Sequence, residues 1–543
     1  MGAFDPSGRG RWVRAEIGPQ ELQTMNRREL GLGVATTSLT LAAANGALAQ
    51  ARATDPQVFI AGFDAQAGRL PAAQQADVRA VYQLTQGKPI WTADRLRVLQ
   101  EVAAGAERHG LPAGDFFDFV GLAADRETAE IRTTAAALAY ARVLAEGRVR
   151  PETVEELWEM QKNSVDLPRG LVDAVAANKL SQWFDALPPT DLGYTNLSAG
   201  YARYRRIARQ GGWPAFRLNS GTIEPGASDP RIPALVARLA AEGDLSAANA
   251  ERLKGNLAYG PELQQAVRSF QTRHGLGADG RIGAATQRSL TATAEDRARQ
   301  IALNLERRRW LKRDLNPERI EVNTAAAIMV YWKDGKPVHS NRVVVGTVAN
   351  QTPSLEKPFA SVVANPPWTV PMGIARREIL PKGPAYLAAN DMYVNADGWV
   401  VQRAGPKSSL GNVKFELQDS YAIFLHDTPA RGAFNLSVRQ RSHGCVRVQD
   451  AIGFARLLLS PDPARLATFD EAQASGETKR VTTGRNIGVR LLYWTAFVDG
   501  QGRVAFREDV YKRDAKLADA LGIAVNLPQV VADAPIDPDE VTP

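Results

Sequence analysis

The 543-residue sequence predicts a multidomain α+β protein in which helical units precede a β-rich domain. Three observations predict it. Apolar residues recur at three- and four-residue spacing through the first 310 positions. Short β-branched runs separated by turn residues follow from about residue 319. The single cysteine, Cys445, lies in that second region, in Ser442-His443-Gly444-Cys445-Val446-Arg447. At roughly 150 residues per domain this length holds three or four domains. A hydrophobic share of 44% and a charged share of 23% suit packed cores. The net charge of +7 is spread thinly and does not point to a nucleic-acid partner. Arg203, Arg205, Arg206 and Arg209, and likewise Arg307, Arg308 and Arg309, are expected on solvated helix faces.

Residues 1–49 are expected to be an N-terminal extension and export signal. Met25-Asn26-Arg27-Arg28 precedes an apolar run from Leu30 to Ala44, and Ala47-Leu48-Ala49 supplies small residues for cleavage before Gln50. Met25 is the expected start. The paired arginines resemble a twin-arginine signal, with Glu29-Leu30 where a polar residue and Phe are more usual. The run is short and Thr/Gly-rich, so no stable membrane span is expected in the mature chain. Export places the chain in an oxidising compartment, where one cysteine cannot form an internal disulfide and an unpaired thiol needs a reason to persist.

Residues 54–225 read as helices broken at Gly110-Leu111-Pro112, Gly147 to Pro151 and Pro188-Pro189, with no cluster of nucleophile, base or metal ligands. Residues 230–292 read as a compact three-helix unit. Its helices lie near Leu235 and Leu239, over Pro261 to His274, and at Thr286, with a turn at Asp279-Gly280. Residues 295–318 form a connecting helix. Residues 319–515 form the β-rich domain, with strands near 320–323, 327–332 and 342–346 and a helical insert near 373–405. A helix is expected over Asp450 to Leu459, and a strand pair over Val489 to Phe497 and Val504 to Phe506. Residues 530–543 read as a disordered tail.

The chemistry concentrates around Cys445. A thiolate is a strong nucleophile, and an imidazole can generate it. His443 lies two residues before Cys445, and His426 lies 17 before His443 at the end of an apolar run, Tyr421 to Leu425. A hairpin-like return could bring His426 beside the thiol. Gly444 would let the backbone approach, so that the N–H groups of Gly444 and Cys445 face a developing oxyanion. His109 and His274 are expected as helix caps or surface residues, and His339 as exposed. Neither metal nor cofactor is expected. The chain has no phosphate-cradling loop and no dinucleotide fingerprint.

The His426 and Ser442-His443-Gly444-Cys445 pattern resembles the active-site motif of L,D-transpeptidases with a YkuD-type catalytic domain. Residues 70–220 resemble the helical scaffold of the larger, YcbB-like periplasmic subgroup, through Gly87-Lys88-Pro89-Ile90-Trp91-Thr92, His109-Gly110-Leu111 and Gly211-Gly212-Trp213-Pro214. Asn365-Pro366-Pro367-Trp368-Thr369-Val370-Pro371 and Tyr493-Trp494-Thr495-Ala496 also fit that subgroup. The three-helix unit resembles a peptidoglycan-binding-like domain through Ala266, Val267, Phe270, Gln271, Gly275, Leu276, Asp279, Gly280, Ile282, Gly283, Thr286 and Leu290.

The resemblance implies a periplasmic enzyme of cell wall biogenesis, with peptidoglycan stem peptides and glycan as partners. It implies Cys445 as nucleophile, His426 as general base and acid with the Asp427 carbonyl orienting its ring, and His443 lining the site. Arg447, Ser442, Trp368 and Tyr421 are candidate substrate-binding residues, with a structural role for Arg447 and core packing for Trp368 and Tyr421 left open. The implied reaction removes the terminal D-alanine from a tetrapeptide stem through a thioester and passes the acyl group to an amine, giving a 3-3 cross-link. Two alternatives remain: a carboxypeptidase or other thiol hydrolase with water as acceptor, and a non-catalytic wall-binding protein.

Overall fold

The computed structural model describes residues 70–112, 125–218, 221–418 and 423–528, with a short antiparallel strand pair at Gly2–Phe4 and Trp12–Arg14. The export-signal region, Tyr421 and the C-terminal tail expectation therefore lie outside the described residues, apart from that strand pair.

The scaffold helices Ala72–Leu84, Ala93–Ala104, Arg126–Glu146, Leu167–Ala176 and Leu180–Ala186 share one apolar core. Thr92, Asp125 and Asp166 cap three of them by accepting from the backbone N–H three residues on. Helix Leu192–Arg209 turns elsewhere. Its Tyr194, Leu197, Tyr201 and Tyr204 pack with the connecting helix and with Ala496, Val504 and Phe506.

The connecting helix, Ala294–Trp310, begins with a Thr293/Asp296 capping box and is buried along most of its length. This overturns the expectation for its arginines. Arg307 and Arg309 are buried, Arg307 pairing with Asp514 and Arg309 with Glu306 at 2.6 Å, while the Arg308 guanidinium lies 4.1 Å over the Trp494 ring. Charge counting along one helix cannot see that partners converge from the scaffold and the C-terminal helix. Arg203, Arg206 and Arg209 are exposed, as a solvated face requires.

The module over 228–290 has helices Ile232–Glu242, Ala247–Arg252, Pro261–Arg273 and Ala284–Thr291 around its own core. The short second helix was not expected. Buried Gln271 holds the turn that follows: its side chain donates to Asp279 and to the Arg281 carbonyl, both at 2.9 Å, and accepts from the Gly280 N–H at 2.8 Å.

In the β-rich domain the strand order is Val413–Leu417, Leu425–His426, Val446–Val448, Lys336–Gly346, Ile328–Lys333, Arg319–Asn323, Gly488–Leu492 and Ser354–Ala364. Val413–Leu417 also pairs with Ser354–Ala364, so these eight strands close into a barrel-like ring. Closure removes the edges of the ring. Asp334-Gly335, both at positive φ, turn the tight hairpin between Ile328–Lys333 and Lys336–Gly346. The core is filled by inward residues such as Val345, Val362, Leu425, Val446 and Phe454.

The expected strand pair near the C-terminus divides. Gly488–Leu492 joins the main sheet parallel to Arg319–Asn323, and Ala496–Val498 pairs with Val504–Phe506. The helix after the cysteine is present as Ala451–Leu459, capped by Asp450, and a second helix follows at Pro463–Ser475. Trp158–Glu159 of the scaffold adds a short parallel rung to Ser354–Leu355.

The insert is a small body of its own. Trp368–Thr369, Met392–Val394 and Val400–Gln402 form a separate sheet, and a wide π-helical turn spans Ala375–Ile379. Trp368, Val370, Ala375, Ile379, Met392, Val400 and Leu410 form its core. Among the described residues, no helix is long and apolar enough to cross a membrane.

Candidate active site

Strand register brings the candidate residues together. Leu425 pairs with Val446 and His426 with Arg447 in a parallel ladder, and the Val446 N–H donates to the Phe424 carbonyl at 3.1 Å. Leu425, Val446 and Val448 point into the barrel core. Successive side chains alternate, so His426 and Arg447 share the opposite face, and the residue before Val446 is the half-buried Cys445.

His426 is fully buried. Its Nδ1 lies 2.5 Å from the Asp427 carbonyl oxygen. A carbonyl only accepts, so Nδ1 carries the proton and neutral His426 keeps its lone pair on Nε2. That Nε2 is buried with no hydrogen-bond partner. Burial, reinforced by the Arg447 charge, lowers the imidazole to a pKa of about 3, against the opposing Asp427 hydrogen bond. At neutral pH the ring is uncharged and able to take a proton. Arg447 is itself buried.

The Asp427 carboxylate is structural. It accepts from the Asn412 N–H at 2.9 Å and from Arg431 at 3.3 Å, and a Cβ on Gly411 would meet it at 2.5 Å.

The nucleophile loop is tied within itself. Ser442 Oγ donates to the Cys445 carbonyl at 2.6 Å and accepts from the Gly444 N–H at 3.1 Å. Ser442 is thus fully buried and bonded inside the loop, not a side chain offered to a ligand. The Gly444 N–H, expected to face an oxyanion, already has an acceptor. Gly444 is required for its φ of +118°, since a Cβ there would meet only ordinary contacts, the nearest at 3.6 Å. The close backbone approach is at Gly346 instead, where a Cβ would lie 2.0 Å from the Asn350 carbonyl oxygen.

Behind the loop stands a support that sequence reasoning missed. Thr352 Oγ1 donates to the Gly444 carbonyl at 2.8 Å and accepts from the Gly346 N–H at 2.9 Å. Tyr511 donates to the Gly346 carbonyl at 2.6 Å. Arg513 donates to the Thr352 carbonyl at 3.1 Å and to Glu155 of the scaffold at 2.9 Å, and Ser354 donates to Glu155 at 2.6 Å. No local pattern marks these residues, because they meet only in the folded chain.

His443 Nε2 lies 3.1 Å from the Glu378 carboxylate, on the insert's π-helical turn. Its Nδ1 is buried without a hydrogen-bond partner. Trp368 is not a cleft residue: it is 3% exposed, inside the insert core. The insert core reaches Phe424, whose ring centroid lies 5.7 Å from that of His426.

The remaining histidines are more buried than a surface position implies, although His274 does cap a helix as expected. His109 ends a 3-10 turn but is buried, its Nδ1 3.1 Å from the Tyr194 hydroxyl. His274 follows a helix as its C-cap but is buried between Phe270 and Phe506. His339 is half-buried and stacks on Phe454. A helix-end or loop position does not show the tertiary packing that buries these rings.

Three families match the chain. Residues 317–481 match the YkuD family, described as "L,D-transpeptidase catalytic domain". Residues 76–200 match a "Scaffold domain", and residues 228–290 a "Putative peptidoglycan binding domain". A Haemophilus influenzae protein described as "Putative L,D-transpeptidase" is 30% identical over 249 residues, 42% of this chain and 50% of that protein. The chain thus spans about half the length of this curated relative. Two solved structures are similar at a level that carries no argument. One is described as "Structure of the Ldtfm-avibactam carbamoyl enzyme", at 14% identity and TM-score 0.19 over 34% of this chain and 51% of that one. The other is an L,D-transpeptidase from Xylanimonas cellulosilytica, at 16% identity and TM-score 0.16 over 51% of this chain and 99% of that one. Residues 317–481, the closed β-rich region that holds Cys445 and His426, are thus a YkuD-type L,D-transpeptidase catalytic domain, of a cysteine-dependent transferase family, preceded by a scaffold domain and a peptidoglycan-binding-type domain.

Proposed function

We propose that the protein is a periplasmic L,D-transpeptidase that joins peptidoglycan stems by 3-3 cross-links. One observation carries the reading. Fully buried His426 holds an unpartnered Nε2 on the strand that pairs with Val446–Val448, and the residue before Val446 is Cys445. An imidazole so placed, with Nδ1 committed to the Asp427 carbonyl, is a base with one available lone pair.

His426 takes the thiol proton. The low basicity that burial and Arg447 impose is relieved once a thiolate stands beside the imidazolium. The Cys445 thiolate attacks the carbonyl carbon of the third stem residue. The oxyanion is assigned to the Cys445 N–H, with His443 Nδ1 beside it. The peptide C–N bond breaks, His426 protonates the departing D-alanine amine, and a thioester remains on Cys445. The side-chain amine of a second stem attacks the thioester, gives its proton to His426 and releases the thiolate. The energy of the broken peptide bond is retained in the thioester, so no nucleotide is needed. The module over residues 228–290 is assigned to glycan, and the N-terminal segment to export.

Incubation with purified disaccharide-tetrapeptide, read by mass spectrometry, tests the proposal. Dimer with loss of one alanine is expected. Tripeptide alone would assign the chain as a hydrolase, and no change to the tetrapeptide would leave a wall-binding role.

A further inference from the structure

We propose that Glu155, on the scaffold, is a positioning residue for the nucleophile loop: acting through Arg513 and Thr352, it aims the peptide unit between Gly444 and Cys445. The inference deepens the proposed reaction and rests on Cys445 being its nucleophile. The Thr352 hydroxyl donates to the Gly444 carbonyl at 2.8 Å. That carbonyl and the Cys445 N–H belong to one planar trans peptide, so they point in opposite directions. Fixing the carbonyl therefore fixes where the Cys445 N–H points, and that N–H is the donor assigned to the oxyanion.

Thr352 is itself held by a buried arginine. The Arg513 guanidinium donates to the Thr352 carbonyl and to the Gln351 side chain, each at 3.1 Å. Its other terminal nitrogen donates to Glu155 at 2.9 Å and to Ser354 Oγ at 3.0 Å. Ser354 closes the set by donating to the same Glu155 oxygen at 2.6 Å. A planar fork bonds the segment and the carboxylate at once, in fixed directions. A buried cation is held in place by its anion, and loses that place when the anion is removed. The nearby aspartates are committed elsewhere. Asp509 accepts from the Arg513 backbone N–H and from the Tyr493 hydroxyl, and Asp514 pairs with Arg307.

Glu155 is fixed on the scaffold side as well. Its N–H donates to the Pro151 carbonyl at 2.9 Å, and its neighbour Val154 packs with Leu303, Trp310, Leu517 and Ala518. Just beyond, the Leu157 carbonyl accepts from the Ser354 N–H at 3.1 Å, where Trp158–Glu159 pairs with Ser354–Leu355. The scaffold thus grips this segment by backbone at Ser354 and by charge through Arg513. Glu155 and Arg513 both lie outside residues 317–481, so the loop takes this support from sequence on either side of its own domain.

The test compares Glu155→Gln, Glu155→Asp, Thr352→Ala and Glu155→Gln/Thr352→Ala in the full chain, with Glu306→Gln as control. Glu306 is also buried, but its bonds go to Arg148, Val149, Arg309 and Trp310. Each variant is assayed below its unfolding midpoint. With disaccharide-tetrapeptide, kcat should fall about tenfold in Glu155→Gln with KM within about twofold. Glu306→Gln should keep kcat within about twofold, whatever stability it loses. Glu155→Asp keeps the charge but not the reach, and should fall between Glu155→Gln and the unaltered chain. Adding Glu155→Gln to Thr352→Ala should lower kcat no further. Amide exchange read by mass spectrometry needs no substrate. Peptides holding Gly346 and Gly444, whose N–H groups are bonded to Thr352 and Ser442, should exchange about tenfold faster in Glu155→Gln and at the unaltered rate in Glu306→Gln. An unchanged kcat in Glu155→Gln, an equal loss in Glu306→Gln, or losses that multiply in the double variant overturns the proposal. If Glu155→Gln does not fold, Glu155→Asp carries both readouts, and unchanged values there overturn it equally. If the unaltered chain forms no product, the acyl-transfer reading fails by itself and exchange decides the link: faster exchange upholds it, and an unchanged rate overturns it.

Discussion

His426 and His274 are nearly the same histidine in two different places. Both are buried, both place Nδ1 against a backbone carbonyl, and both leave Nε2 without a hydrogen-bond partner. Burial lowers the basicity of both, with arginines adding to it: Arg447 for one, and Arg273, Arg297 and Arg238 for the other. Yet His274 is stacked 3.8 Å from the Phe270 ring and 5.5 Å from the Phe506 ring, in the peptidoglycan-binding-type module. His426 lies one strand from the residue that precedes Val446. An unpartnered nitrogen and a depressed pKa therefore do not make a base. What sets His426 apart is its place on the strand paired with Val446–Val448, next to Cys445, the nucleophile of the proposed reaction.

Substitution at both places breaks or sharpens this contrast. The largest effect belongs to Cys445→Ala, which should leave the fold intact and abolish product, measured by muropeptide mass spectrometry. His426→Ala should lower kcat by about 10²- to 10⁴-fold, the usual range for loss of a general base. His274→Ala should leave kcat near its starting value and lower stability by about 1–3 kcal/mol through lost ring packing, read by denaturant unfolding. A large kcat loss in His274→Ala with stability unchanged would erase the distinction.

Thr352→Ala sits next in size. It removes one hydroxyl that bonds both Gly444 and Gly346, and leaves a buried carbonyl and a buried N–H without it. A loss of about 1–3 kcal/mol is expected, with kcat reduced more than KM is raised.

The pH dependence of stability does not separate the two regions. His109 and His426 are held at a pKa of about 3 in the fold, and His274 well below its ordinary value. The unfolded chain binds these protons near pH 6.5, and the folded chain does not. Stability from this source is therefore full above about pH 6.5. It falls as pH drops, at about 1.4 kcal/mol per pH unit for each such histidine. Unfolding midpoints across pH 5–8 check the sign, and a gain in stability on acidification would contradict it.

The candidate site is legible in sequence because its residues fall in two short, neighbouring stretches. Ser442 to Arg447 and His426 stand close enough in sequence to be weighed together. The strands were legible where turn chemistry marks them, as at Asp334-Gly335. What could not be read is what converges from afar. Glu155, Thr352, and the Tyr511/Arg513 pair come from three distant segments to support one loop, and Glu378 reaches His443 from the insert. The burial of Arg307 on the connecting helix is hidden in the sequence for the same reason, since its partners Glu155 and Asp514 lie over 150 residues away. Trp368 lies in the insert core, although an aromatic before the insert could equally have lined a cleft.

The most direct test is acylation itself. The unaltered chain, His426→Ala and His274→Ala are mixed with disaccharide-tetrapeptide, and the covalent adduct is located by peptide mass mapping. The adduct should fall on Cys445 in the unaltered chain and in His274→Ala, and be absent or strongly delayed in His426→Ala. Acylation of His426→Ala at the unaltered rate, or an adduct on any residue other than Cys445, would contradict the account.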